Sequence, residues 1–246
     1  MIPRVTDQSA LPKIIDELLI YLFNGQSHPL TAPMTHWLAS SRRFTVFIDT
    51  FRDKIRKKLR VTQDLETLNN LRLELETACL LLQEKSLSVV YEPQLGGVRA
   101  PDFAVTFTTS LTFAVEVTRI QVPAISTLPV GDQLADTICS KLGQLLHQQS
   151  NVIIAGMDTL NLTPSDLQPA MLRVQQRAEG SDPTFWQRYG FRDRADFFRH
   201  YQRLSEILVR GSRLQADQPV VVWVNPQAKY PLPGKVRTVL YRSHKT

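Results

Sequence analysis

Two carboxylates in the middle of the chain are best suited, by type and spacing, to do chemistry. Asp102 follows Pro101 at the start of a predicted strand, and Glu116 lies fourteen residues later in the apolar segment FAVEVT. A hairpin of this length can bring both side chains to one face, because side chains on a strand repeat every two residues. Close carboxylates repel one another unless a cation lies between them. The pair therefore predicts a site for Mg²⁺, or Mn²⁺ in its place.

Helical residues on either side of this hairpin could complete the site. Glu74 and Glu76 lie on opposite flanks of a predicted helix, so at most one of them should face the hairpin. Lys141 and Gln144 are three residues apart and share one face of a later helix. The structural alternatives are a turn residue for Asp102, a salt bridge for Glu116, and solvated surface for the helical residues.

The elements that must position these residues follow from the spacing of apolar side chains. A helical period predicts helices over 11–23, 33–60, 64–85 and 132–149. Shorter apolar or alternating runs predict strands over 87–92, 102–107, 111–120 and 151–157, with further candidates at 204–210 and 219–226. The stretch 164–204 is mostly helical and indicates an inserted subdomain or an extended crossover. The tail from Lys229 is predicted to be basic and irregular.

This order of elements indicates an α/β protein with a mixed sheet flanked by helices. We divide the chain into a helical N-terminal segment (1–63), an α/β core (64–226) with a helical insertion (164–203), and a basic C-terminal tail (227–246).

Composition narrows the class of protein. The chain has 246 residues, of which 43% are hydrophobic, enough for a substantial core. Only Cys79 and Cys139 are cysteines, which argues against a disulfide framework or a zinc site. The apolar N-terminus is interrupted by Asp16 and Glu17 and predicts an amphipathic helix, not a signal peptide. We therefore expect a cytoplasmic protein without a membrane partner.

The charge distribution suggests a polyanionic partner. Residues 61–170 have a net charge of −7, whereas residues 1–60 and 171–246 carry +5 and +8. An acidic centre between basic flanks could concentrate cations at a site while the flanks attract nucleic acid. Ordinary solvated surface is the alternative.

The motifs resemble those of the PD-(D/E)xK nuclease superfamily over about residues 64–226. The segments ELETA, GGVRAPDF, VEVTR and SKLGQL match its helical Glu, Pro-Asp strand, Glu-x-Lys strand and following helix. Later segments look like distal elements of uncharacterised prokaryotic members. The resemblance implies a restriction-endonuclease-like core and Mg²⁺-dependent endonuclease activity, with DNA favoured over RNA. It implies metal ligation by Asp102, Glu116 and the Val117 carbonyl, and prefers Glu74 over Glu76 as a further catalytic residue.

One position departs from the superfamily pattern. The usual lysine, two residues after Glu116, is Thr118 here. Lys141 on the next helix could supply the missing amine. Arg119 should point to the other face, and its guanidinium is effectively always protonated. If no residue takes the place of the missing lysine, the protein binds nucleic acid without cutting it.

We assign nucleic-acid binding to six residues: Arg56, Lys57, Lys58, Arg99, Arg119 and Gln144. The aromatic and Arg-rich stretch 185–203 could stack on bases or pack as a helical module. Two other classes stay open: a nuclease-like but inactive nucleic-acid-binding module, and a structural or regulatory subunit that holds a partner. A homodimer is equally open.

Overall fold

The computed structural model describes residues 10–62, 64–94, 100–120, 129–158, 163–180, 183–212 and 220–244. Contacts divide the chain into two compact units, Met1–Lys85 and Ser86–Thr246. The division falls after Lys85, so the helix that carries Glu74 and Glu76 belongs to the first unit. No helix among the described residues is both long and apolar enough to cross a membrane.

The described part of the first unit consists of helices α1 (Ala10–Phe23), α2 (Thr31–Ser40), α3 (Arg42–Val61) and α4 (Leu65–Gln83). The sequence predicts a single helix over 33–60, but the structure has two. Ser41 has extended backbone (φ −143°, ψ 106°), and its side chain accepts a hydrogen bond from the Phe44 amide at 3.2 Å. Serine is a preferred N-cap because it satisfies such an amide. The chain therefore stops α2 and starts α3 at this residue.

The described residues of the second unit form one six-stranded sheet in the order β1-β2-β3-β4-β5-β6. The strands are β1 (Leu87–Tyr91), β2 (Phe103–Phe107), β3 (Leu111–Ile120), β4 (Asn151–Met157), β5 (Leu204–Gly211) and β6 (Val221–Val224). The first three form an antiparallel meander, β3, β4 and β5 are parallel, and β6 is antiparallel to β5. The prediction of an α/β fold with a mixed sheet is confirmed.

The helices of this unit are α5 (Val130–Lys141), α6 (Pro164–Glu179), α7 (Pro183–Arg188), α8 (Arg194–Tyr201) and α9 (Gly234–Ser243). The stretch predicted to be mostly helical is the crossover that contains α6, α7 and α8 and joins the parallel strands β4 and β5. The helix predicted over 132–149 ends earlier, at Lys141, and is followed by a 3₁₀ turn, Leu142–Gln144. The buried Asn151 side chain holds the next turn by donating to the carbonyls of Leu146 and Gln149, both at 3.0 Å.

One face of the sheet, here called the first face, carries Glu116. The register aligns Glu116 with Ile153 on β4, Ile207 on β5 and Trp223 on β6. Side chains of α5, α6 and α8 share one buried cluster with these strand residues, so helices cover the β4–β6 half of this face. Over β1 and β2 the same face is more open, and Val90 is 46% exposed. Glu116 thus lies at the border between the covered and the open half.

The opposite face is covered in part by α9. Glu206 of β5 is fully buried and accepts hydrogen bonds from Arg237 Nε and, at 2.6 Å, from the Tyr241 hydroxyl. Val236 and Leu240 of α9 are buried as well. The prediction of an irregular tail from Lys229 was wrong, because apolar residues at helical spacing and these polar contacts dock the segment onto the sheet.

Candidate functional site

The strand register brings Asp102 and Glu116 to neighbouring positions. Phe103 pairs with Val115, so one further step along the antiparallel ladder places Asp102 opposite Glu116. Residues directly opposite share a face, with Cβ atoms about 4.5–5.5 Å apart. Glu116 is 4% exposed, and Asp102 is half-buried. A buried carboxylate needs hydrogen bonds or a cation to keep its charge, so this pair is suited to hold a positive ion.

The backbone beside the pair explains the role of Pro101. Asp102 Oδ2 accepts a hydrogen bond from the Val117 amide at 2.7 Å. The Val117 carbonyl points to the same side of its strand as its amide, towards β2. The residue opposite it in the continued register is Pro101, which has no N–H to donate. Pro101 therefore cannot donate to the Val117 carbonyl oxygen, which stays a candidate metal ligand.

Glu92 is a third acidic residue in this row, and the sequence did not single it out. Its amide donates to the Asp102 carbonyl at 2.9 Å, and its backbone has a positive φ of 42°. This contact extends the β1–β2 ladder by one residue and fixes the backbone of Asp102. A non-glycine residue rarely adopts such a φ, and the sequence offers no signal for it beyond the following Pro93.

The residues that could replace the missing lysine lie on the first face or on the helix that covers it. Thr118 shares the face of Glu116 and is half-buried. Lys141 is the last residue of α5, is half-buried, and makes no ion pair within the described residues. Gln144, in the 3₁₀ turn, has a buried Oε1 without a hydrogen-bond donor in the described part of the chain. Both side chains keep polar groups available at the helix end.

The two glutamates of α4 differ in environment. Glu76 is 2% exposed. Glu74 accepts a hydrogen bond from Lys58 Nζ at 2.8 Å, and its side chain is 15% exposed. Glu74 and Lys58, which the sequence assigns to catalysis and to nucleic-acid binding, therefore neutralise one another within the first unit.

The other residues assigned to nucleic-acid binding have varied surroundings. Arg56 donates to Asn24 Oδ1 at 3.0 Å and lies 4.4 Å from the centre of the Tyr21 ring. Lys57 is exposed. Arg119 forms an ion pair with Asp158, and its side chain is only 12% exposed. Arg99 lies outside the described residues. Lys57 is thus the most accessible of the described cations in this set.

The aromatic stretch 185–203 contributes to the core. Phe185, Phe197 and Tyr201 are at most 2% exposed and belong to the cluster under the first face. Their rings contact one another at centroid distances of 5.5 and 5.7 Å. These three rings cannot stack on bases. The arginines between them are exposed and form the outer surface of α7 and α8.

Metal ligation at this hairpin would use two carboxylates. No three or more His, Cys, Asp and Glu side chains among the described residues are grouped so that they could hold a metal ion. Mg²⁺ is commonly bound through one or two carboxylates, with water and substrate phosphate completing its shell. The oxygen donors of Asp102, Glu116 and the Val117 carbonyl fit that chemistry.

Comparisons with known proteins identify no relative: no family model matches the chain, and no curated protein or solved structure matches it significantly.

Proposed function

We propose that this protein is a metal-dependent nuclease of the PD-(D/E)xK type that hydrolyses phosphodiester bonds, with DNA as the favoured substrate. The observation that carries the proposal is the cross-strand placement of Asp102 and Glu116 on the first face. Two carboxylates held this close in a partly buried site favour a divalent cation between them.

The order of elements supports the same function. The resemblance implies a helix with a glutamate, a Pro-Asp strand, a Glu strand and a following helix. The chain has α4, the β1–β2–β3 meander, α5 and β4 in that order. Since a fold hosts many functions, the carboxylate pair carries more weight than the architecture.

The chain's own residues have distinct roles in this proposal. Asp102 and Glu116 would hold Mg²⁺ or Mn²⁺ together with the Val117 carbonyl. A bound cation of this kind lowers the pKa of water and neutralises charge on the phosphate. The Val117 amide fixes the orientation of Asp102 through the 2.7 Å hydrogen bond. The open half of the first face gives a substrate access to the pair.

Lys141 is our candidate for the amine that Thr118 does not provide. It ends the helix that packs on the face of Glu116, and it is not committed to an ion pair within the described residues. A lysine there would orient the attacking water or stabilise the phosphate oxygens. A catalytic part for Glu74 stays an implication of the resemblance alone, and its described ion pair is with Lys58 in the first unit.

The experiment is incubation of the purified protein with plasmid, linear duplex, single-stranded DNA and RNA, each with Mg²⁺, Mn²⁺ or EDTA. We expect cleavage with either metal and none with EDTA. Glu116→Gln and Asp102→Asn should abolish it. Glu179→Gln is the matched control, because Glu179 is exposed at the end of α6 and far along the chain from the hairpin. Equal cleavage by Glu116→Gln and Glu179→Gln would refute the proposed site.

Thr118 favours a second function, in which the protein binds nucleic acid but does not cut it. Without a positioned amine the hairpin would keep its shape and lose its chemistry. In that case no substrate is cleaved with any metal, and Glu116→Gln leaves nucleic-acid affinity unchanged.

A further inference from the structure

Three basic side chains converge on one buried carboxylate at the start of α8. Asp196 is 7% exposed. Arg192 Nε lies 3.6 Å from Asp196 Oδ2, and Arg199 Nη1 and His200 Nδ1 lie 3.5 and 3.7 Å from Oδ1. The Arg192 amide also donates to Oδ2 at 3.2 Å. The Asp196 carboxylate thus lies close to two guanidinium groups, and the His200 Nδ1 atom is 2.8 Å from the Asp196 backbone carbonyl oxygen.

This arrangement positions two guanidinium groups and leaves their donors available. Both distances from Asp196 exceed the roughly 2.7–2.9 Å of a tight charge-assisted hydrogen bond. The Arg192 and Arg199 side chains stay 75% and 56% exposed. Each guanidinium has five N–H donors in a planar fork that matches the oxygens of a phosphate. The exposed Arg192 and Arg199 guanidinium groups, next to the buried Asp196 carboxylate, can donate hydrogen bonds to the oxygens of a phosphodiester.

The segment that contains the cluster has a positive net charge. Residues 188–203 contain five arginines and two aspartates, a net charge of +3. Arg203 is 8% exposed and donates to the Leu145 carbonyl at 3.3 Å, next to the exposed His147. Desolvation, followed by the charge of Arg203 and its neighbours, lowers the pKa of His147. Charge complementarity therefore favours a polyanion on this surface.

The helix of the cluster packs on the same face of the sheet that carries the candidate catalytic pair. Helix α8 packs on the first face, which also carries Glu116. Strand β5, which follows α8, begins at Leu204, which is aligned through Asn151 with Ala114 of β3. Strand spacing and rise then put the start of β5 about 12 Å from Glu116.

We propose that Arg192 and Arg199, positioned by Asp196, bind the phosphodiester backbone of the same nucleic acid that Asp102 and Glu116 cut. The inference rests on the proposed function for the identity of its ligand. Asp196 is a positioning residue, and the two arginines make the contacts.

The test is the salt dependence of duplex DNA binding, measured by fluorescence anisotropy in EDTA so that nothing is cut. Each lost phosphate contact reduces the slope of log affinity against log salt by about 0.9. We expect this reduction for Arg192→Gln and for Arg199→Gln, and about twice as much for the double variant. Arg199→Lys should keep the slope and lose part of the affinity, because it keeps the charge without the fork.

Arg173→Gln is the matched control, because Arg173 is an exposed arginine of α6 whose partner is Asp132 at 2.7 Å. It should bind as the unaltered protein does. The substituted side chains are exposed, and thermal melting confirms that each variant is folded. An unaltered slope in the double variant overturns the inference while leaving metal-dependent cleavage intact. Absence of both duplex binding and cleavage in the unaltered protein overturns the inference and the proposed function together.

Discussion

Asp102 Oδ2 and the Val117 amide nitrogen lie 2.7 Å apart. The Asp102 side chain therefore accepts the hydrogen bond that a backbone carbonyl of the neighbouring strand would accept in a regular ladder. Pro101, the residue opposite Val117, has no N–H and cannot donate to the Val117 carbonyl. The Pro-Asp sequence thus both orients a carboxylate and provides no backbone donor for the Val117 carbonyl beside it.

This hydrogen bond should be visible in the stability of Asp102 variants. Asp102→Ala removes the acceptor, whereas Asp102→Asn keeps an oxygen for the Val117 amide. Both remove the same negative charge, so their difference isolates the hydrogen bond. We expect Asp102→Ala to be less stable than Asp102→Asn by about 1 kcal/mol in urea unfolding. Equal stability of the two variants would contradict the contact, and neither variant should cleave nucleic acid.

Metal binding should stabilise the folded protein independently of activity. A cation with a dissociation constant of about 1 mM, added at about 10 mM, stabilises the state that binds it by about 1.4 kcal/mol. We expect Mg²⁺ to raise the melting temperature of the unaltered protein and of Glu179→Gln. Glu116→Gln should lose the increase. An equal increase in all three proteins would place the cation elsewhere.

Variants at Lys141 and Thr118 test whether Lys141 takes the role of the lysine that Thr118 replaces. Lys141→Ala should reduce the rate of cleavage by about 10²–10⁴, the range for loss of a positioned proton donor or acceptor. Adding Thr118→Lys to that variant installs a lysine on the face of Glu116 and should restore part of the rate. Lys235→Ala, at an exposed position of α9, is the control. Full activity of Lys141→Ala would remove Lys141 from the site.

His244 should make stability depend on pH. Burial, and then the charge of Arg210, lowers the pKa of His244 to about 3. Unfolded chains take up this proton below a pH of about 6.5, but the folded protein resists it, so stability falls as the pH drops from 6.5 towards 3. Between pH 6.5 and 5 this amounts to about 2 kcal/mol.

The measurement is urea unfolding of the unaltered protein and of His244→Gln at both pH values. His244→Gln should lose most of this drop, and His36→Gln, at an exposed position of α2, should retain it. The comparison uses the change in each protein's free energy of unfolding between the two pH values. A destabilisation by His244→Gln that is equal at both pH values therefore does not affect the result. The same drop in His244→Gln would argue against a buried neutral histidine.

The docking of α9 depends on the buried Glu206. Arg237→Ala leaves a carboxylate that is fully buried with one partner fewer. Breaking a buried ion pair in this way costs about 3 kcal/mol. Adding Glu206→Gln should recover part of that loss, because the stranded charge is removed. If the double variant lost as much free energy of unfolding as the two single variants together, the ion pair would contribute little to stability.

Local patterns predicted the elements that position the site, and long-range contacts account for what they missed. The alternation around Glu116 and the apolar run of β4 were enough to place both strands at their observed bounds. The break at Ser41 depends on one capping hydrogen bond inside an otherwise helical pattern. The end of α5 depends on Asn151, whose side chain ties a turn that the helical period would have continued.

The site itself was predictable only in its carboxylate pair. Hairpin spacing placed Asp102 and Glu116, but it gave no sign that Glu92 would anchor the Asp102 backbone through a positive-φ residue. The pairing of Lys58 with Glu74 joins two helices sixteen residues apart, which periodicity does not describe. The convergence on Asp196 needed the fold of α8, because its charges alone resemble any solvated helix.

The spatial order of the strands repeats their order in the chain, so each strand after β1 pairs with a strand that has already been synthesised. Pairing between consecutive strands shortens the loops that must close during folding. The hairpin that carries Asp102 and Glu116 can therefore form before β4, β5 and β6 exist, and the growing sheet adds one strand at a time along its open edge. Helix α5, with Lys141, and the other helices of this unit are synthesised only after the hairpin, and each later strand has few alternative partners when it joins the sheet.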